Sequence, residues 1–279
     1  MAEAPSTAGS SAAGGEPGVL RTLALAFAVC GVCAALLTAS VVVLRPYQVA
    51  NQKQEQERRI RALVERLPGM EELAASGALA LELGVIELAS GEPAPEVDPE
   101  PLQGGEIDPR DSDPLPPERD AAGIERRPRH AAVYRLRQDG RLHTVILPVS
   151  GRGYLSMMRG WLAVAGDGNT VRGITFTRHE ETPGLGAEIE NPDWQALWAD
   201  KQIRDEAGTV RIRVVQEPAP EDAPEAAYEV AGISGATKTS EGVSALVRFW
   251  TGPDGFGPYL ERLRREAAAG EAARPGGSE

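Results

Sequence analysis

The 279-residue sequence predicts an α+β fold: an antiparallel-sheet domain preceded by a single N-terminal transmembrane helix. Three observations carry this. Two pairs of strand-like runs each flank an Asp-Gly turn, the strongest short-range hairpin signal. Near the C-terminus, Val243, Leu246, Val247 and Trp250 recur at i, i+3, i+4 and i+7, the stripe of an amphipathic helix. Close to the N-terminus, Thr22 to Leu44 contains no charged residue. As a helix this run would reach about 34 Å at 1.5 Å per residue, enough to cross a bilayer.

The chain divides into residues 1–21, small and polar and expected to be disordered; 22–44, the anchor; and 45–91, a charged juxtamembrane helix followed by the start of the soluble domain. Residues 92–128, dominated by Pro, Asp and Glu without hydrophobic period, predict a solvated linker. Residues 129–265 form the main domain, and 266–279 a disordered tail. Within the juxtamembrane segment Ile60, Leu63, Val64 and Leu67 share one helical face, and Ala74 to Leu88 is apolar but interrupted by Glu82 and Glu87.

In the main domain Ala132–Arg137 and Leu142–Val149 flank Asp139-Gly140. Trp161–Ala165 and Val171–Thr177 flank Gly166-Asp167-Gly168-Asn169. A short helix is expected after Pro192, a strand over Val210–Gln216, and a strand end at Ala226–Val230. Successive hairpins with a few helices make the domain α+β.

Composition excludes several functions. A net charge of −12 argues against a nucleic-acid partner, whose phosphates need a basic surface. Cys30 and Cys33, the only cysteines, lie in the anchor, so the soluble part holds no thiolate nucleophile or disulfide; they suit helix packing better than a redox role. Three scattered histidines lack metal-ligand spacing. Arg45, Lys53, Arg58, Arg59 and Arg61 follow the anchor while Arg21 alone precedes it, and by local charge this would leave the C-terminal domain cytoplasmic.

The chemistry concentrates at Gly232-Ile-Ser-Gly-Ala-Thr-Lys-Thr-Ser240, a strand-to-helix turn. A helix start offers free N–H groups and a positive dipole end to a phosphate, and Gly232, Gly235 and Ala236 leave the main chain open. The same hydroxyls also suit an ordinary N-cap. Neither a Walker spacing nor a Ser-x-x-Lys acyl-transfer pattern is present.

Upstream lies His179-Glu-Glu-Thr-Pro-Gly-Leu-Gly186. The pairing of this loop with Ser234-Gly235-Ala236-Thr237 resembles the covalent FMN-binding domain family. The resemblance extends to Gly151-Arg-Gly-Tyr154, Met157–Leu162 and Asn191-Pro-x-Trp194-x-x-Leu197-Trp198, which are similar to the C component of the bacterial Na+-translocating NADH:quinone oxidoreductase. It covers residues 20–65 and 130–252.

The resemblance implies FMN joined by a phosphoester to Thr237, installed from FAD by a flavin transferase, with Ser234, Gly235 and Ala236 completing the attachment motif. Glu181, Thr182, Leu185, Gly186 and Tyr154 are then candidates for contact with the flavin, followed by Met157 and Trp161. Thr239 is a chemically possible second acceptor, and His179 a supporting or surface residue. The family usually carries Asp where this chain has Ala231.

It further implies an electron-relaying subunit of an NADH:quinone reductase, not active alone. Its partners would be flavin- and iron–sulfur-bearing membrane proteins of the same complex and the lipid bilayer, with the FMN domain periplasmic and electron flow to quinone coupled to Na+ export. Two other readings stay open: the flavinylated G component of an Rnf-type complex working between ferredoxin and NAD, and a non-redox membrane-anchored scaffold whose Ser/Thr turn only caps a helix.

Overall fold

The computed structural model describes residues 18, 21, 23–34, 79–102 and 107–272. The chain separates into two compact units, Met1–Arg59 and Ile60–Glu279. In the first, residues 21 and 23–34 are helical, with Leu23, Leu25, Phe27, Val29 and Val32 all exposed. Among the described residues no helix is long and apolar enough to cross a membrane. Residues 35–44 of the expected anchor, the expected helix at 48–67, and segments 1–17 and 273–279 lie outside the described residues.

The second unit is built on a five-stranded sheet of order β1-β4-β5-β6-β7. Its strands are β1 (Leu79–Glu87), β4 (His130–Gln138), β5 (Arg141–Arg152), β6 (Met157–Ala165) and β7 (Val171–Arg178), every neighbouring pair antiparallel. Both expected hairpins form. Asp139 and Gly140 have φ of 51° and 76°, the two positive angles of a type I′ turn, and they close the pair Gln138↔Arg141. At the other turn, Asp167 Oδ1 accepts from the N–H groups of Asn169 and Thr170.

Strand period two sorts the side chains. Val145, Leu147 and Val149 of β5 share a face with Leu162 and Val164 of β6 and with Ile174 and Phe176 of β7, all buried in the main core. Helix α2 (Thr237–Thr251) lies over this face, burying Val243, Leu246, Val247 and Trp250. Trp250 Nε1 donates 2.6 Å to the Ser150 carbonyl and pins the helix to β5. A short helix α1 (Pro192–Ala196), N-capped by Asn191, brings Trp194 and Trp198 into the same core.

Three expectations change. Segment 92–128, expected as a solvated linker, supplies the antiparallel pair β2 (Ser112–Pro114) and β3 (Arg126–Pro128), and buries Leu115, Ala122 and Ile124 in the core. Its apolar residues are too few to show a period, and several of its charges are held in contacts. Arg129 pairs with Asp113, Arg119 with Asp254, and Asp120 accepts the N–H groups of Ile124 and Glu125.

Residues 266–272 of the expected tail are instead helical. Helix α3 (Gly257–Ala272) continues on alanines, the best helix formers, with an Arg262–Glu266 pair at i, i+4. Finally, the expected strands near 210 and 226 shrink to β8 (Arg213–Val215) and β9 (Glu229–Ala231), which pair in parallel beside the antiparallel sheet.

Candidate functional site

Strand β9 leads through a turn at Ser234-Gly235 into α2, so the motif is the strand-to-helix turn its sequence implies. Gly235 has a φ of 76°, a left-handed angle that suits glycine. The N-cap is Ala236, which has no side-chain cap to offer. None of the backbone N–H groups of Thr237, Lys238 and Thr239 meets an acceptor among the described residues. The helix therefore begins with its donors free, the condition under which a helix N-terminus receives an anion.

The four hydroxyls of the motif do different things. Thr237 and Ser234 are exposed. Thr239 is 2% exposed, and its Oγ1 donates 2.6 Å to Glu181 Oε2. Ser240 is equally buried, and its Oγ accepts 3.0 Å from the Ile233 N–H, bracing the turn from behind. Thr239 is thus closed off as an acceptor for a bulky group, and no hydroxyl of the motif is spent as the N-cap.

Glu181 is the centre of the surrounding structure. The N–H groups of Tyr154, Leu155 and Ser156 donate to its carboxylate at 3.2, 3.0 and 3.2 Å, with Ser156 Oγ a weaker donor at 3.4 Å. Burial pushes the carboxyl pKa up, but the bonds from Thr239, Leu155, Ser156 and Tyr154 outweigh it and hold the group below the usual glutamate range. Its oxygens face inward and are taken up by protein donors, so Glu181 enters the site from beneath.

Gly186 is buried against the same pair. A Cβ there would sit 2.5 Å from Thr239 Oγ1 and 2.9 Å from Glu181 Oε2, so it serves packing. His179 is nearly enclosed too. Its Nδ1 accepts the Glu181 N–H at 3.1 Å, which leaves Nε2 to carry the proton, 3.0 Å from Glu190 Oε1.

The remaining candidates stay outward. Thr182 is exposed, and its carbonyl accepts from Leu185 and Ala187. Leu185 is 43% exposed and lies against Gly235, its Cδ2 3.1 Å from where a Cβ would stand. Tyr154 is 64% exposed, on the turn that Glu181 holds. Met157 is partly buried against the core, and Trp161 packs edge-on to Tyr134, both on the sheet face away from the main core. Leu155, 53% exposed, is a residue that nothing nearby in the sequence marks. The site thus gathers Thr237, Ser234, Gly235, Leu185, Tyr154 and Leu155 at one surface, over a buried Glu181–Thr239 bond.

The FMN-binding domain family matches residues 153–252, a span that holds both loops and α2. The C component of the Na(+)-translocating NADH-quinone reductase of Pseudomonas aeruginosa is 40% identical over 254 residues, covering 89% of this chain and 97% of that relative. Its Yersinia pestis counterpart is 40% identical over 253 residues, covering 88% and 94%. Among solved structures, Shewanella oneidensis NqrC superposes with a TM-score of 0.59 at 31% identity, over 70% of this chain and 88% of that one. The C component from Parabacteroides distasonis, at 24% identity and a TM-score of 0.52, shares the fold. With identity of this extent over nearly the whole length of its relatives, the chain belongs to the NqrC family, the C component of the Na(+)-translocating NADH-quinone reductase.

Proposed function

We propose that this chain carries FMN through a phosphoester to Thr237 Oγ1 and relays electrons between redox centres of partner subunits, toward quinone, within a Na+-translocating NADH:quinone reductase. One observation carries the attachment. Thr237 is exposed at the first position of an uncapped helix, while Thr239 and Ser240 are buried and already bonded. A scaffold that used this turn only as a cap would spend a hydroxyl on the cap, and here Ala236 holds that position.

FMN would supply a carrier able to hold one or two electrons. The chain's residues would position it. The free N–H groups of Thr237, Lys238 and Thr239 and the positive helix end suit the phosphate. Tyr154, Leu155 and Leu185 offer exposed apolar surface for a ring, and the Thr182 loop offers polar groups beside them. Ser234 and Gly235 leave the Thr237 hydroxyl open to a flavin transferase.

The uncharged run Thr22–Leu44 would hold the domain at the bacterial inner membrane, on the periplasmic side, in the reading the family supports. That run has no charged residue to serve as an ion path, so Na+ coupling falls to partner subunits.

Mass spectrometry of the Thr237 peptide, taken from host membranes with the transferase present, tests the reading. The expected adduct is FMN less water, absent in Thr237→Val. An unmodified wild-type peptide overturns it.

A further inference from the structure

Glu181 is more enclosed than any other candidate residue with a titratable side chain, and it is ringed entirely by neutral donors. Its exposure is 4%, and it accepts from three backbone N–H groups and from the Ser156 and Thr239 hydroxyls. Among the described residues no Lys or Arg forms an ion pair with it. A carboxylate so placed keeps its charge without a counter-charge, and its field is weakly screened.

Two glycines leave room for the carboxylate. A Cβ on Gly153 would come 2.5 Å from Oε1, and one on Gly186 2.9 Å from Oε2. The carboxylate joins the Tyr154–Ser156 turn, the Glu181–Gly186 loop and the first turn of α2, which begins at Thr237.

We propose that Glu181 is a positioning residue for the flavin site and the fixed negative charge that lowers the midpoint potential of a flavin on Thr237. The proposal rests on the reading above that Thr237 carries FMN. Adding electrons near an anion held by neutral donors, with no cation paired to it, is unfavourable, so the anion holds the flavin at a more reducing potential. The bond to Thr239 fixes where that anion stands relative to residue 237, two positions earlier on the helix.

The test uses the full chain in host membranes, with the Thr237 adduct first confirmed by mass, and then spectroelectrochemical titration. Glu181→Gln keeps a carbonyl for Leu155 and Ser156, and the Thr239 hydroxyl can turn to accept from the new amide. This variant is expected to retain flavin that is about tenfold easier to reduce, 59 mV for a one-electron couple. Thr239→Val keeps the charge, so it should lose stability with an unchanged potential. Glu180→Gln, which removes an exposed neighbouring charge, should change neither.

If Glu181→Gln and Thr239→Val both lose stability and both keep the wild-type potential, Glu181 is only a structural tie and the proposal fails. Glu181→Asp and Glu181→Asn, alike in length and differing in charge, cover the case in which the glutamine variant does not accumulate. A higher potential in Glu181→Asn than in Glu181→Asp supports the proposal, and equal potentials overturn it. An absent adduct in the wild type overturns the attachment at Thr237 instead, a result separable from any shift in potential.

Discussion

Thr239 Oγ1 and Glu181 Oε2, 58 positions apart in the chain, meet in a buried 2.6 Å hydrogen bond two residues along the helix from the exposed Thr237. The bond ties the loop at 181 to the start of α2. Thr239→Val deletes the donor and leaves a buried carboxylate one partner short, so the folded state should lose about 1–3 kcal/mol. Urea denaturation would register this as a lower midpoint at unchanged slope.

Thr237→Val, two residues earlier, should behave in the opposite way. Its side chain is exposed and makes no hydrogen bond among the described residues, so stability should stay within about 0.5 kcal/mol of wild type. The same denaturation curve, set beside loss of the adduct, separates chemistry from folding.

Acid should weaken the domain through Glu181 and Glu229. Glu229 is held below the usual carboxylate range by the Arg213 guanidinium and the Ala219 N–H. For both groups the folded pKa lies below the unfolded one. Their contribution is therefore complete above the ordinary glutamate value of about 4.3 and is lost as pH falls through the folded values. Denaturation midpoints followed from pH 7 downward should fall more steeply in wild type than in Glu181→Gln.

Gly235→Ala places a Cβ at a φ of 76°, 3.1 Å from Leu185 Cδ2. The left-handed backbone costs about 1–2 kcal/mol for a residue with a Cβ. Thermal denaturation should show the loss, and Gly184→Ala, equally left-handed but with open space around it, should show only the backbone part.

Trp250→Ala removes a buried indole and its bond to the Ser150 carbonyl. A loss of about 3–5 kcal/mol is expected from denaturant titration, because the helix bearing Thr237 is seated on β5 through this residue.

The parts of the fold that can be read in advance are those whose cause is local. Asp139-Gly140 and Gly166–Asn169 specify their hairpins by turn chemistry, and Val243 to Trp250 announce α2 by period alone. The strand-to-helix turn at Gly232–Ser240 is legible because its residues are contiguous. What escapes depends on distant partners. Glu82, which breaks an apolar run in the sequence, sits in β1 opposite Arg135 and bonds Arg137 at 3.0 Å. Glu181 reads as a ligand contact because nothing in its own loop discloses the three N–H groups and two hydroxyls that enclose it. The acidic segment reads as solvated because its burial rests on Leu115, Ala122 and Ile124, too sparse to make a pattern.

That segment's place in the core bears on where the domain can be cut. A fragment beginning at residue 129 would shed β1 together with Leu115, Ala122 and Ile124, stripping the outer rung from β4 and uncovering apolar surface below. A bared strand with unpaired amides recruits another of its kind. Such a fragment should self-associate in sedimentation experiments where a chain begun at residue 60 stays monodisperse.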